Sequence, residues 1–218
     1  MTKDDSARVN VLRDKLSTAL LGDILDAMGR RHQFLPPNIR PVRQSDKMVG
    51  RAMPVLEAAV YDDAEPFGKM FEAIDDLKPG EIYLATGANL PCAMWGELMT
   101  TLAQRKGSTG AVLNGYIRDT HGILDMDYPV FSHGSYAQDQ RVRGRVIDYR
   151  CSVEFGAVTV STGDYLVGDI DGVLAIPADI VDEVIEQALA KQATEGNVRE
   201  AILNGMDATE AFEKYGVF

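Results

Sequence analysis

Within twenty-five residues the sequence places Glu97, Arg118, Asp119 and His121, the side chains with the most chemistry to offer. A guanidinium such as that of Arg118 grips a carboxylate or phosphate through a planar, two-pronged fork. Asp119 beside it makes sense in a binding site if a cation lies between this carboxylate and the bound anion. Mg²⁺ is commonly held in that way, by one or two protein carboxylates, several waters and the ligand's own oxygens. Glu97 offers a second carboxylate for proton transfer, and His121 an imidazole suited to the same task near neutral pH. Spacing alone leaves the plainer readings open: adjacent Arg and Asp also make weak ion pairs on surface turns, and a lone loop histidine is also simply exposed.

The segment Pro79–Asp119 has to position these groups. Pro79-Gly80 reads as a turn, Ile82 to Ala85 as a short strand, and Gly87 as its end. Met94, Leu98, Met99 and Leu102 recur at helical spacing from about Ala93 to Lys106, and Lys106-Gly107 supplies a basic last turn and a stop. A second apolar run, Ala111 to Leu113, ends at Asn114-Gly115, so the unit reads as strand, helix, strand with parallel strands. In such a unit the start of the helix and the ends of both strands share one edge of the sheet, where α/β sheets bind ligands. The amides around Trp95, Gly96, Glu97 and Leu98 would then face Arg118 and Asp119, a setting for a small carboxylate or phosphate.

The rest of the chain frames that unit as an α/β fold. Val9, Leu12, Leu16, Leu20, Ile24 and Met28 trace a helical stripe over residues 6–29, with Ser17-Thr18 a candidate break. Asp23 and Asp26 on this helix read as solvated or capping carboxylates. Val49 to Ala59 reads as the first strand of the main sheet, and Ala64 to Leu77 as a helix with Phe67, Phe71 and Ile74 pointing inward. His121 to Asp127 is expected to be a loop skirting the site. Short alternating pieces at Val142–Tyr149, Val153–Val160, Tyr165–Gly168 and Val173–Ile176 predict a mixed or antiparallel second layer of strands. Gly168-Asp-Ile-Asp-Gly172 lacks the remaining ligands of a calcium loop and reads as a turn. Asp179 to about Leu203 predicts a long helix with a bend at Gly196, followed by a short helix ending at Tyr215-Gly-Val-Phe218. One domain over 1–218 is expected, with a helical N-terminus (1–30), an α/β core (49–176) and C-terminal helices (177–218).

With 218 residues, 45% of them hydrophobic, the chain can bury a substantial core. Its formal net charge of −11 argues against a nucleic-acid surface, which needs clustered Lys and Arg. Cys92 and Cys151 stand far apart without metal-ligand spacing, so two free thiols are expected, and His32 and His133 form no ligand pattern. No apolar run is long enough to span a bilayer and the N-terminus lacks a signal core, which leads to the expectation of a cytoplasmic protein. The Gly-rich turn of a nucleotide-type cofactor fold is not found near the N-terminus, so a methyltransferase reading has no support.

Gly96-Glu97-Leu98-Met99, then, after a gap of eighteen residues, Arg118-Asp119, with Tyr128-Pro-Val-Phe131, Gly163-Asp164 and Asp169-Ile-Asp-Gly-Val173 following, resembles the RraA-like proteins and class II 4-hydroxy-4-methyl-2-oxoglutarate aldolases. Ser17 to Gly29 resembles the first helix of that family and Asn197 to Phe218 its C-terminal tail. The resemblance implies a layered β/α/β swivelling fold with N-terminal helices and a C-terminal helical arm. It also implies a Mg²⁺- or Mn²⁺-dependent lyase that cleaves a 4-hydroxy-2-oxo acid to pyruvate and a second oxo acid and can decarboxylate oxaloacetate. On that implication the backbone of Gly96, Glu97, Leu98 and Met99 binds the substrate carboxylate, Arg118 contacts the substrate, Asp119 ligates the metal and Glu97 assists proton transfer. Trimers or hexamers with sites near subunit interfaces are implied as well, where Glu195 or Glu200 of the arm could complete a neighbour's site. The pattern departs at Gly122, where aldolase members tend to place an acidic residue. A second branch of the family binds a ribonuclease without known catalysis and typically lacks the carboxylate after the Arg.

Overall fold

In a computed structural model, residues 3–62 and 64–216 are described; Met1-Thr2 of the N-terminus and Val217-Phe218, at the expected end of the last short helix, lie outside them. The chain opens with α1 (Lys3–Lys15) and α2 (Thr18–Ala27), separated at the expected break. Ser17 caps α2 by accepting a hydrogen bond from the Leu20 amide, and Asp169 accepts from both the amide and the hydroxyl of Thr18. The two-residue strand β1 (Arg40–Pro41) and the twelve-residue strand β2 (Met48–Ala59) follow.

Next come α3 (Met70–Asp76), β3 (Glu81–Thr86), β4 (Ala93–Trp95), α4 (Glu97–Arg105), β5 (Gly110–Leu113), β6 (Tyr116–Ile117) and α5 (Thr120–Asp125). The parallel pairing of β3 with β5 around α4 is the expected strand–helix–strand unit. Three boundaries differ from the expectation. The stretch Ala93–Trp95 is strand rather than helix, because it pairs with β6 and leaves α4 to begin only after Gly96. Helix α3 is half the expected length, since Phe67 and Gly68 both take positive φ, and Phe71 points outward, 58% exposed. His121 lies in a helical turn, not a loop.

The remaining strands are β7 (Val130–Ser132), β8 (Gly144–Tyr149), β9 (Val153–Phe155), β10 (Val158–Val160), β11 (Tyr165–Asp169) and β12 (Gly172–Ile176). Most of them join the main sheet rather than form a second layer, which corrects the expectation. Its order is β1-β7-β5-β3-β2-β11-β12, with β8 on the far half of β2; β9 and β10 stand apart as a hairpin turning at Gly156, and β4 with β6 forms another small sheet. The length of β2 makes this possible: its first half takes β11 and its second half β8, with a bulge between Leu56 and Glu57. The two ends of the sheet approach one another, and Arg40 on β1 donates to the carbonyls of Ile170 and Asp171 in the β11–β12 turn.

Helix α6 (Val181–Leu203) runs unbroken through Gly196, and α7 (Ala208–Tyr215) completes the chain. The first half of α6 buries Val181, Val184 and Ala188 against α1, α2 and the adjoining strands, where Leu12, Leu16, Leu21 and Leu25 lie. Its second half packs with α7 instead, burying Val198 and Ala211. No helix of the described residues is long and apolar enough to cross a membrane.

Candidate functional site

A small side sheet carries the site. Strand β4 pairs in parallel with β6; residues 138–140 run along the other edge of β4, and 134–136 along the other edge of β6. The Ala93 amide donates to the Gln138 carbonyl at 2.7 Å, and the Arg118 amide to the Trp95 carbonyl at 2.9 Å. These bonds bring the start of α4, the Arg118-Asp119 pair and the Asp139-Gln140 pair to one place. Trp95 anchors the arrangement from below. It is buried between Tyr83 and Tyr128, at centroid distances of 5.0 and 6.4 Å, and its indole N–H donates to Thr100 Oγ1, which in turn donates to the Gly96 carbonyl.

Asp119 turns back over the helix start. Its backbone is left-handed, φ 56°, a region Asp enters more readily than most residues though at some cost. That turn carries its carboxylate onto Gly96: a Cβ built on Gly96 would lie 2.7 Å from Asp119 Oδ2 and 3.5 Å from Arg118 Cγ. Gly96 therefore serves close approach, since with the carboxylate in this position a side chain at 96 would displace it. Gly96 brings no capping side chain to α4. Arg118 is half-exposed, with Nε 3.8 Å from Asp119 Oδ2 and Nη1 3.5 Å from Asp139 Oδ2.

Glu97 faces the other side of Asp119. A Cβ on Gly122 would lie 2.5 Å from Glu97 Oε2 and 2.6 Å from its Cδ, so the Glu97 carboxyl fills the space a side chain at 122 would claim. An acidic residue at 122 and Glu97 in this rotamer are mutually exclusive. Glu97, Asp119 and His121 border a shallow cleft on this side. On the other side Arg118, Asp119, Asp139 and Gln140 border a cleft of about 280 Å³ whose remaining walls are mostly apolar, Trp95, Leu98 and Met99 among them.

Of the expected site residues, Gly96, Glu97, Leu98, Met99, Arg118, Asp119 and His121 are thus all gathered around two clefts that share Asp119. Leu98 projects outward, 83% exposed, at the rim of the cleft beside Arg118. His133 lies elsewhere, bonded to Asn114 Oδ1 at 3.1 Å, with burial lowering its pKa. Sequence reasoning missed Asp139 and Gln140, whose link to the site is made only by strand pairing. It also missed Glu57, buried and without a hydrogen-bond partner for either oxygen among the described residues. An acid inside the apolar run of β2 was the available signal. Desolvation pushes its pKa up to about 8. Cys92 is buried and Cys151 partly so, both free thiols; burial pushes Cys92 up to about 11.

Among the described residues no three of His, Cys, Asp and Glu converge on a point that would cage a metal ion. Asp119, half-exposed and with Glu97 across the shallow cleft, fits instead an ion held by one or two carboxylates, waters and a ligand.

The fold is α/β, with a cleft bordered by Arg118, Asp119 and Asp139 beside a small side sheet, and comparison with known proteins gives its family. The model of the RraA-like family, Aldolase/RraA, matches residues 18–175, and the chain belongs to that family. A Halalkalibacterium halodurans protein named "Putative 4-hydroxy-4-methyl-2-oxoglutarate aldolase" is 28% identical over 199 residues, covering 90% of each chain. Protein DlpA of Legionella pneumophila is 30% identical over 200 residues; these cover 91% of this chain, which spans only 32% of DlpA. The crystal structure of Streptomyces coelicolor RraAS2, described as an unusual member of the RNase ES inhibitor RraA family, superposes with a TM-score of 0.82 at 21% identity, covering 91% of this chain and 98% of that one, a likeness of fold.

Proposed function

We propose that the protein is a divalent-metal-dependent lyase that cleaves a 4-hydroxy-2-oxo acid to pyruvate and a second oxo acid, with oxaloacetate decarboxylation as a side reaction. The observation that carries this reading is the seating of the Asp119 carboxylate on Gly96 with Arg118 beside it, one charged pair against an uncapped helix start.

In this reading the backbone of Gly96 to Met99 and the Arg118 fork hold the oxygens of the substrate head. Asp119, with Glu97 nearby, would hold Mg²⁺ or Mn²⁺, and such an ion would supply Lewis-acid polarisation of the C2 carbonyl. Loss of the C4 hydroxyl proton lets C4 become a carbonyl as the C3–C4 bond breaks, and the electron pair passes to C3 as an enolate. Arg118 stabilises that charge where it develops, the interaction that lowers a barrier. Glu97 then moves the proton between the C4 hydroxyl and C3 through a water, with His121 on the same cleft as the second candidate. Oxaloacetate loses CO₂ to give the same enolate. A homotrimer or homohexamer, with Glu195 or Glu200 reaching a neighbour's site, belongs to this reading, as does a cytoplasmic location.

The test is oxaloacetate with the purified protein, with Mg²⁺ and then with EDTA, following pyruvate. Metal-dependent pyruvate formation that Asp119→Ala abolishes, with an unchanged circular dichroism spectrum, is the expected result. Full activity in Asp119→Ala refutes the metal assignment. No turnover by the wild type, together with capture of a ribonuclease, would favour the non-catalytic regulator.

A further inference from the structure

Resting on the lyase reading, we infer that Asp139 is a positioning residue of the site: its carboxylate holds the Arg118 guanidinium toward the cleft when Asp119 is committed to a cation. Both residues hang from the same short strand, β4. The Arg118 amide donates to the Trp95 carbonyl, and two residues back Ala93 holds the 138–140 segment, donating to the Gln138 carbonyl at 2.7 Å and accepting from the Gln140 amide at 3.2 Å. The segment is pinned on its far side as well. Gln140 is 2% exposed, its backbone carbonyl accepts from the amides of Arg143 and Gly144 at 2.8 Å, and Arg143 Nη1 donates to the Asp139 carbonyl at 3.1 Å. Strand β4 thus fixes the separation of the two backbones, and the Asp139 carboxylate reaches Arg118 from a rigid base.

Folding stability does not account for this pair. The Arg118 and Asp139 side chains are 40% and 31% exposed and stand 3.5 Å apart, beyond hydrogen-bond length, and a pair of that kind adds little to stability. Orientation is what it supplies. Arg118 has a carboxylate at each end, Asp119 at 3.8 Å from Nε and Asp139 at 3.5 Å from Nη1. Once Asp119 is committed to a cation, its hold on Nε weakens and the guanidinium is repelled from that side. Glu97, across the shallow cleft on the opposite side of Asp119, is not placed to take over. Asp139 then keeps the fork facing the cleft and leaves the donors away from Nη1 for the substrate. Charge alone predicts the reverse. A carboxylate beside an anion site repels the anion, so an Asp139 that acted only through its charge would weaken substrate binding, and its removal would tighten it.

The sign of the effect and its dependence on Arg118 test the inference. Asp139→Asn keeps the shape and removes the charge; Arg118→Ala and the double variant complete a cycle with the wild type. For all four proteins in Mg²⁺, kcat/KM for oxaloacetate and the calorimetric affinity for pyruvate are measured. With Arg118 present, Asp139→Asn is expected to lower kcat/KM about tenfold or more and pyruvate affinity about threefold or more; with alanine at 118 it is expected to change either by less than about twofold. Unchanged or tighter pyruvate binding in Asp139→Asn, or an equal loss in both backgrounds, overturns the inference. A wild type that binds pyruvate without turning over oxaloacetate sinks the lyase reading, and the binding cycle alone then decides the role of Asp139. A wild type that neither binds pyruvate nor turns over oxaloacetate sinks both.

Discussion

Glu57→Gln should stabilise the protein, and more so as pH rises. Glu57 sits at the bulge of β2, 2% exposed, with neither oxygen bonded among the described residues, and desolvation raises its pKa from 4.5 to about 8. Below pH 4.5 both the folded and unfolded chains hold the proton. Between there and about 8 the folded state alone holds it, so stability falls as pH rises through this window. With those two pKa values, moving from pH 5.5 to 8.5 removes about 3 kcal/mol of stability through this one group. A Gln of nearly the same shape removes the titration and keeps the packing. Urea unfolding of both proteins at the two pH values gives the contribution as a difference of differences, in which all other titrating groups cancel. The variant is expected to gain about 3 kcal/mol on the wild type between pH 5.5 and 8.5. Parallel pH profiles for the two proteins would show that Glu57 ionises freely in the folded state and refute the argument.

Arg118→Ala should cost about 2–4 kcal/mol in kcat/KM for oxaloacetate decarboxylation, the worth of a charge-assisted contact made to developing charge; steady-state kinetics showing no change would remove the substrate contact. Gly96→Ala places a methyl 2.7 Å from Asp119 Oδ2, and the carboxylate must swing away. A Mg²⁺ affinity at least about tenfold weaker by calorimetry, with thermal stability lowered by less than 2 kcal/mol, is the outcome expected of a displaced ligand. Gly122→Ala pushes on Glu97 in the same manner, and kcat is expected to fall while KM stays near its wild-type value, as for a group that acts on proton transfer rather than binding.

The strand–helix–strand unit was legible because its signals are local: a Pro-Gly turn, helical spacing from Leu98 onward, and a basic stop. The limit of α4 was not legible, since Ala93–Trp95 has the same apolar residues in either state and is settled by a partner strand twenty residues away. Phe71 was misread for a similar reason. Its spacing from Ile74 is helical, but α3 starts only at Met70 and buries Met70, Ala73 and Ile74, which leaves Phe71 on the exposed side. The joining of β8, β11 and β12 to the main sheet depends on the length of β2, which no short window reveals. At the site, Arg118 and Asp119 could be named from their place after a strand. Asp139 and Gln140 could not, because a segment without regular structure reaches the cleft only by pairing with β4.

On the lyase reading, the backbone at Asp119 sets stability against chemistry at one residue. Glycine there would relieve about 1 kcal/mol or more of conformational cost, and asparagine would tolerate the angle as well as aspartate does. Either replacement deletes the negative charge. A directed-evolution campaign scored only on heat resistance would therefore drift toward glycine at this codon and lose turnover in doing so, whereas one scored on turnover would hold aspartate and seek its gains elsewhere.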